Sequence, residues 1–188
     1  MTIKVSAIEK IVLYGDSLMA GYGLPKEQHL SIVLQDNLKS EGFNIEVING
    51  SVSGSTSSGG LNRAEWTLSE NGIDLMILCL GANDMLRGIN PSETKSNLEK
   101  IIKIAQAKNI KVIIAGMISP TSYGTTYKKN FDKIFKDLSN QYDLELIPFL
   151  LEGVAQKAEF NLSDGIHPND KGTIVISNTL KKTILNNL

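Results

Sequence analysis

The chain has 188 residues, 41% of them apolar, and a formal net charge of -1, which suits one domain around one core. Near-balanced charge offers no basic patch for nucleic acid or an anionic membrane. The one cysteine, Cys79, excludes an intrachain disulfide and a cysteine-rich metal site, and no apolar stretch reaches the roughly 18 residues of a membrane span.

No linker, repeat or low-complexity run divides the chain, so residues 1–188 read as a single domain. Met1 to Lys10 lacks the apolar segment and small-residue cleavage site of a signal peptide. The sequence as it stands therefore predicts a soluble, cytoplasmic protein, with export open if a leader has been removed. Oligomeric state is left open.

In chain order, the first predicted strand is Ile11–Tyr14, an apolar run ending in Gly15-Asp16-Ser17. A helix follows, with Leu30, Val33, Leu34 and Leu38 on one face and Gly42 placed to end it. His29 falls in this helix and reads as a solvated or packing residue. Ile45–Ile48 is the second strand, followed by the polar turn Asn49-Gly50-Ser51-Val52-Ser53-Gly54. Ile73–Leu80 is the third, carrying Cys79 as an inert core thiol and running into Gly81-Ala82-Asn83-Asp84. Asn90-Pro91-Ser92-Glu93 supplies an N-cap, a proline at the first helical position and a glutamate at the third. The apolar face of that helix is Leu98, Ile101, Ile102 and Ala105. After the fourth strand, Ile110–Ala115, the residues Tyr127, Phe131, Ile134, Phe135 and Leu138 repeat the helical pattern. Leu144–Phe149 is the fifth strand. Ile176, Leu180 and Ile184 mark a last helix, capped by Asn169 or Asp170. The lysine pairs at 128–129 and 181–182 sit in helical patterns and are expected to face solvent.

The strand runs are mostly continuous rather than alternating, as expected of strands covered on both faces. Strand and helix alternate throughout. This order predicts an α/β domain of three layers, a parallel five-stranded sheet between two layers of helices. Ligands bind such sheets beyond the carboxyl ends of the strands, so the segments that follow the strands are where chemistry is sought.

Read one at a time, those segments are ordinary. Gly15-Asp16-Ser17 is a common turn, yet it also exposes a hydroxyl at the sheet mouth beside free helix-start N–H groups. Gly54 sits in a routine polar loop, but a glycine lets its N–H approach a ligand unobstructed. Asn83 is a normal capping residue whose amide is also able to donate into the same mouth. Near the C-terminus, Asp164 stands three residues before His167 across Gly165. That spacing lets the carboxylate hold one ring nitrogen while the other faces a nucleophile.

Together, Ser17, Gly54, Asn83 and His167 occur in the order of the four blocks of the GDSL/SGNH hydrolase superfamily, which the chain resembles. Gly15-Asp16-Ser17-Leu18 with Ala20-Gly21-Tyr22-Gly23 is similar to the first block of its bacterial arylesterase and thioesterase/lysophospholipase group. Gly81-Ala82-Asn83-Asp84 with Leu86-Arg87-Gly88, and Asp164-Gly165-Ile166-His167-Pro168-Asn169, are similar to the third and last. The likeness spans roughly residues 10 to 185. One departure is Ala82, where many relatives have glycine. The Gly-x-Ser-x-Gly elbow of α/β-hydrolases is absent around every serine.

The resemblance implies a flavodoxin-like SGNH hydrolase fold and a serine esterase acting on carboxylic esters or thioesters. It assigns Ser17 as nucleophile, His167 as its base and Asp164 as the carboxylate behind the base. The family pattern sets the oxyanion among the N–H of Ser17, the N–H of Gly54 and the amide of Asn83. No metal or cofactor is called for. Leu86, Ile118, Tyr123 and the 150–162 segment (Leu150, Leu151, Val154, Phe160) are the expected lining of an acyl groove, with 150–162 also the expected flap. A deacetylase of small polar acetyl esters is the alternative on the same triad. A non-catalytic flavodoxin-like nucleotide or flavin binder is the reading from another class, supported only by a lone Gly21-Tyr22-Gly23.

Overall fold

Five strands and seven helices alternate in the computed structural model, which describes residues 8–188. In order they are β1 (Lys10–Gly15), α1 (Ser17–Ala20), α2 (Leu30–Ser40), β2 (Glu46–Asn49), α3 (Ser57–Thr67) and β3 (Leu75–Cys79). Then come α4 (Ala82–Leu86), α5 (Pro91–Ala107), β4 (Lys111–Ala115), α6 (Thr125–Tyr142), β5 (Glu145–Ile147) and α7 (Asp170–Leu185). All strand pairs are parallel, in the order β2-β1-β3-β4-β5. This is the expected three-layer α/β arrangement with flavodoxin-like strand order.

The chain runs one way from β1 to β2, then crosses back over β1 to reach β3. Right-handed crossovers therefore put α2 on one face of the sheet and α3, α5 and α6 on the other. The packing agrees: α2 lies against α7, α3 against α5, and α5 against α6. The switch point falls between β1 and β3, where a crevice opens at the carboxyl edge. Ile11, Val12, Leu13 and Tyr14 are wholly buried, as are Met76, Ile77 and Leu78, which explains why these strands lack a polar alternation. Cys79 lies in this core, and burial pushes its thiol well above the ordinary value.

Helix ends follow their local chemistry. Beyond α2, Phe43 N–H donates to Leu38 O at 3.1 Å and Gly42 N–H to Lys39 O at 3.0 Å, the bond pair of a glycine-terminated helix. Asn90 caps α5 through Ser92 N–H with Pro91 behind it. Of the two candidates before α7, Asn169 is the cap, accepting from Gly172 N–H at 3.0 Å. His29 precedes α2 as a packing residue, its Nε2 3.1 Å from Leu24 O.

One sequence expectation needs correction. Lys129 and Lys182 face solvent, but Lys128 donates to Ser119 O and Asp132, and Lys181 pairs with Glu41 at 2.7 Å. The 150–162 segment, the expected flap, is fixed to the body of the domain at Leu150, Val154 and Asn161 and exposed at 156–159. Leu150 and Val154 are fully buried, and the Asn161 amide donates to Val154 O and Lys157 O, each at 2.8 Å. No helix among the described residues is long and apolar enough to cross a membrane. The leader question rests largely on residues 1–7, which lie outside the described residues.

Candidate active site

Asp16 follows β1 in extended backbone, and its carboxylate accepts Leu18 N–H at 3.1 Å, capping α1. Ser17 is therefore the first residue of α1. Its N–H belongs to the helix-start donors that have no intrahelical acceptor, and its Oγ is partly exposed at the crevice.

His167 arrives from the other end of the chain on a built turn. Asn161 and Pro168 form an antiparallel bridge, Leu162 N–H donates to His167 O at 2.7 Å, and Gly165 N–H donates to Leu162 O at 2.9 Å. Inside the turn, Asp164 Oδ1 accepts from Ile166 N–H at 2.9 Å and His167 N–H at 3.0 Å. Its Oδ2 lies 2.7 Å from His167 Nδ1. These two backbone N–H groups, then the ring, hold the Asp164 carboxyl down to about 2. An ionised carboxylate only accepts, so the ring proton sits on Nδ1 and the Nε2 lone pair faces outward. Nε2 is 2.9 Å from Ser17 Oγ. The far face of the imidazole is covered by Tyr22, ring centroids 4.4 Å apart.

Asn83 is the second residue of α4, just past β3, and lines the crevice with Ser17 and His167. Its Nδ2 donates to Asp16 Oδ2 at 3.1 Å. Gly54 lies on the loop after β2 at φ +76, a conformation that favours glycine. Its carbonyl accepts from Arg87 Nη2 at 3.1 Å, while its N–H, like that of Ser17, meets no protein acceptor among the described residues. The structure thus joins Asp164, His167 and Ser17 in one hydrogen-bonded line and sets Asn83 in the lining of the same cavity, while Gly54 lies on the loop after β2, outside that lining.

Three supporting groups carry no warning in the sequence beyond their neighbourhood. Arg63, on α3, donates to Gly50 O at 2.6 Å and Gly15 O at 2.9 Å and stacks on Tyr14 at 4.1 Å. It joins the ends of β1 and β2, and burial lowers its guanidinium from the usual value. Asp84, wholly buried, accepts from Ser57 N–H at 2.7 Å, from the Ser57 hydroxyl, and from Thr94 Oγ1 at 3.1 Å. That cluster ties the turn carrying Asn83 to the start of α3 and to α5. Asp16 is the third, at 1% exposure. Burial pushes its carboxyl up to about 6 against the opposing pull of the Leu18 N–H and the Asn83 amide.

A cavity of about 320 Å³ runs from this cluster, lined by Met85, Leu86, Met117, Ile118, Phe149 and Leu151 among others. Leu86 and Ile118 thus stand where the sequence expects them. Tyr123 does not: it is 5.7 Å from Tyr127, ring to ring, and lies outside the lining. Of the 150–162 segment, Leu151 reaches the cavity while Leu150 and Val154 are core. Two larger grooves, of about 760 and 500 Å³, lie at the amino edge of the sheet and beside Trp66. Neither touches a nucleophile–base pair. No cluster of potential metal ligands occurs among the described residues.

Residues 13–173 match the GDSL-like Lipase/Acylhydrolase family. Among curated proteins, the arylesterase of Vibrio mimicus is 36% identical over 182 residues, covering 97% of this chain and 91% of that protein. The thioesterase 1/protease 1/lysophospholipase L1 of Escherichia coli is 32% identical over 184 residues, covering 98% and 87%. Among solved structures, a crystal structure of TesA superposes with a TM-score of 0.90 at 34% identity, covering 96% of this chain and all of that one (100%).

Proposed function

Because this chain belongs to the GDSL-like lipase/acylhydrolase family and is a serine esterase, we propose that its chemistry runs through Ser17, His167 and Asp164. His167 Nε2 takes the Ser17 proton as Oγ attacks the carbonyl carbon, and the carbonyl oxygen becomes an oxyanion. As the intermediate collapses, the imidazolium protonates the leaving alcohol or thiol. Water then repeats the sequence on the acyl-enzyme, releasing the acid and regenerating Ser17. Asp164 keeps the ring proton on Nδ1 and stabilises the imidazolium. The oxyanion is met by the N–H groups of Ser17 and Gly54 and by the Asn83 amide.

The observation that carries this reading is the continuous line from Asp164 Oδ2 to His167 Nδ1 at 2.7 Å and from His167 Nε2 to Ser17 Oγ at 2.9 Å. The test is labelling with a fluorophosphonate followed by peptide mapping. The adduct is expected on Ser17 and absent from Ser17→Ala; an adduct on another serine refutes the assignment. Loss of one oxyanion donor typically lowers the rate about 10²- to 10³-fold, so Asn83→Ala should lower kcat by that order with KM little changed.

Esters or thioesters with an acyl chain, rather than bare acetates, suit the cavity. Met85, Met117, Phe149 and Leu151 give it an apolar wall, which gains more from each added methylene than a polar acetyl site does. A chain-length series of nitrophenyl esters is expected to peak above acetate. A sharp preference for acetate over octanoate would return the reading to a deacetylase of small polar esters.

A further inference from the structure

The side-chain amide of an asparagine has two nearly isosteric ends, and a half-turn exchanges a donor for an acceptor. For Asn83 to meet an oxyanion, its nitrogen end must face the crevice in every molecule. Among the described residues, the Asn83 amide makes one protein hydrogen bond, from Nδ2 to Asp16 Oδ2 at 3.1 Å. Its Oδ1 receives none. Whatever fixes the orientation of this amide is therefore Asp16.

Asp16 is built for that task. Its other oxygen, Oδ1, is already engaged by Leu18 N–H at 3.1 Å, so the carboxylate cannot swing away without uncapping α1. It is 1% exposed, so water does not compete for Oδ2. A carboxylate has no proton to donate and tolerates only a donor in front of it. With Nδ2 turned toward Asp16, one of its two protons is used there. The second has no protein acceptor among the described residues, and Asn83 lines the cavity together with Ser17 and His167.

We propose that Asp16 is a positioning residue whose acceptor-only carboxylate locks the Asn83 amide with its donor end toward the oxyanion. The proposal rests on the assignment of Asn83 as an oxyanion donor. Replacing Asp16 by asparagine keeps the shape and the cap, because the new Oδ1 still accepts Leu18 N–H. The new Nδ2 then confronts the Nδ2 of Asn83, two donors facing each other in a dry site. Turning Asn83 over removes that conflict, and it sets a carbonyl oxygen where the oxyanion forms. The substitution thus converts an attractive contact into a repulsive one without touching Ser17 or His167.

The experiment is a double-mutant cycle on the full chain, with kcat and KM for a soluble nitrophenyl ester, in wild type, D16N, N83A and D16N/N83A. D16N is expected to lower kcat about 10²-fold with KM within about threefold, approaching the usual effect of losing an oxyanion donor. In the N83A background the same change should alter kcat less than about threefold, because the amide through which it acts is gone. If N83A alone keeps full kcat, the oxyanion assignment itself fails. If N83A is impaired and D16N costs as much in its background as in wild type, the lock fails while the assignment stands. If D16N retains wild-type kcat, the lock also fails. D16S provides the second variant: its hydroxyl caps α1 but does not reach Asn83, so the same collapse of the effect in N83A is expected, and an undiminished effect overturns the proposal.

Discussion

The ring of Tyr22 lies against the imidazole of His167, with centroids 4.4 Å apart and planes inclined at 37°. Asp164 holds the Nδ1 edge of the same imidazole, so Tyr22 restrains the ring in the direction that the carboxylate does not. Tyr22 itself is half exposed and contributes little to the core. An aromatic contact of this kind contributes about 0.5–1.5 kcal/mol, or about 2- to 10-fold in rate if it is expressed fully in the transition state. Tyr22→Ala should lower kcat within that range and leave thermal stability nearly unchanged. Tyr22→Phe keeps the ring and should stay within about twofold. Equal losses in both variants would instead assign the effect to the hydroxyl.

Asp164 carries the opposite kind of control, through charge and tautomer. Its carboxyl is held down to about 2 by the His167 and Ile166 N–H groups and by the ring. It therefore stays ionised above about pH 3, and any acid limb of activity above that pH belongs to another group. The folded value lies below the ordinary 3.8. Its stabilising contribution is present above that value and is lost as pH falls through about 2. Asp164→Asn keeps an acceptor for the two N–H groups but presents an amide N–H to Nδ1, which selects the wrong ring tautomer. A kcat loss of about 10³- to 10⁴-fold is expected, as for other carboxylate–histidine–serine triads. Steady-state kinetics at pH 8, with circular dichroism to verify folding, decides it. A loss under tenfold would mean that His167 keeps its tautomer unaided.

Asp16 has the reverse sign. Burial raises it from the ordinary 3.8 to about 6, with His167 lowering it and Asp84 raising it, and with the Arg63 cation also close enough to be felt. When a carboxyl is raised on folding, the folded state binds the extra proton between the two values. Its contribution is complete below about 3.8 and is lost as pH rises through about 6. At neutral pH, ionised Asp16 is thus a stability burden of at most about 3 kcal/mol, from roughly two pH units at 1.36 kcal/mol each. Asp16→Asn should be no less stable than wild type at pH 8, and by up to about 2 kcal/mol more stable. That advantage should shrink toward pH 4. Urea unfolding at the two pH values reads it directly. A variant destabilised at pH 8 would show that the carboxylate's bonds to Leu18 and Asn83 outweigh its burial. Site function and stability would then pull in the same direction at this position.

The strands, α2, α5, α6 and α7 are legible because each writes its period into the sequence over several residues. Ile11–Tyr14 is a continuous apolar run because both faces are covered, and Leu98, Ile101, Ile102 and Ala105 recur because only one face of α5 is. The places of Ser17 and Asn83 at the mouth of the sheet are legible for a related reason: each follows such a run. The short helix α3 is not. Ser57-Ser58-Gly59-Gly60 is a poor helix former, with each glycine costing about 1 kcal/mol against alanine. Tertiary contacts overrule that preference. Asp84 accepts the Ser57 N–H, and a methyl on Gly60 would collide with Leu80, so the glycine is what lets α3 settle on the sheet. The roles of Asp16 and Asp84 are not legible, because the partners that define them lie 67 and 27 residues away. Tyr123 fails for the opposite reason. Its place after β4 suggests the crevice, but its ring turns to Tyr127 on α6.

The cavity wall gives the last prediction. Ala155 lines the cavity together with Leu151 and Phe149, and it lies on a segment anchored by the buried Leu150 and Val154. A larger side chain there has an anchored backbone behind it and open space in front. Ala155→Leu should occupy the volume that a longer acyl chain would fill while leaving Ser17 and His167 untouched. Each methylene excluded from an apolar wall forfeits about 0.8 kcal/mol, or about fourfold in kcat/KM. Octanoate esters should thus lose about 10-fold or more, with acetate esters within about twofold of wild type. Tyr123→Ala is the matched control, since its ring lies outside the lining and its removal should leave the chain-length profile unchanged. If Ala155→Leu lowers acetate and octanoate turnover equally, the acyl chain runs along another surface. If Tyr123→Ala shifts the profile, the groove extends past Ile118 toward α6.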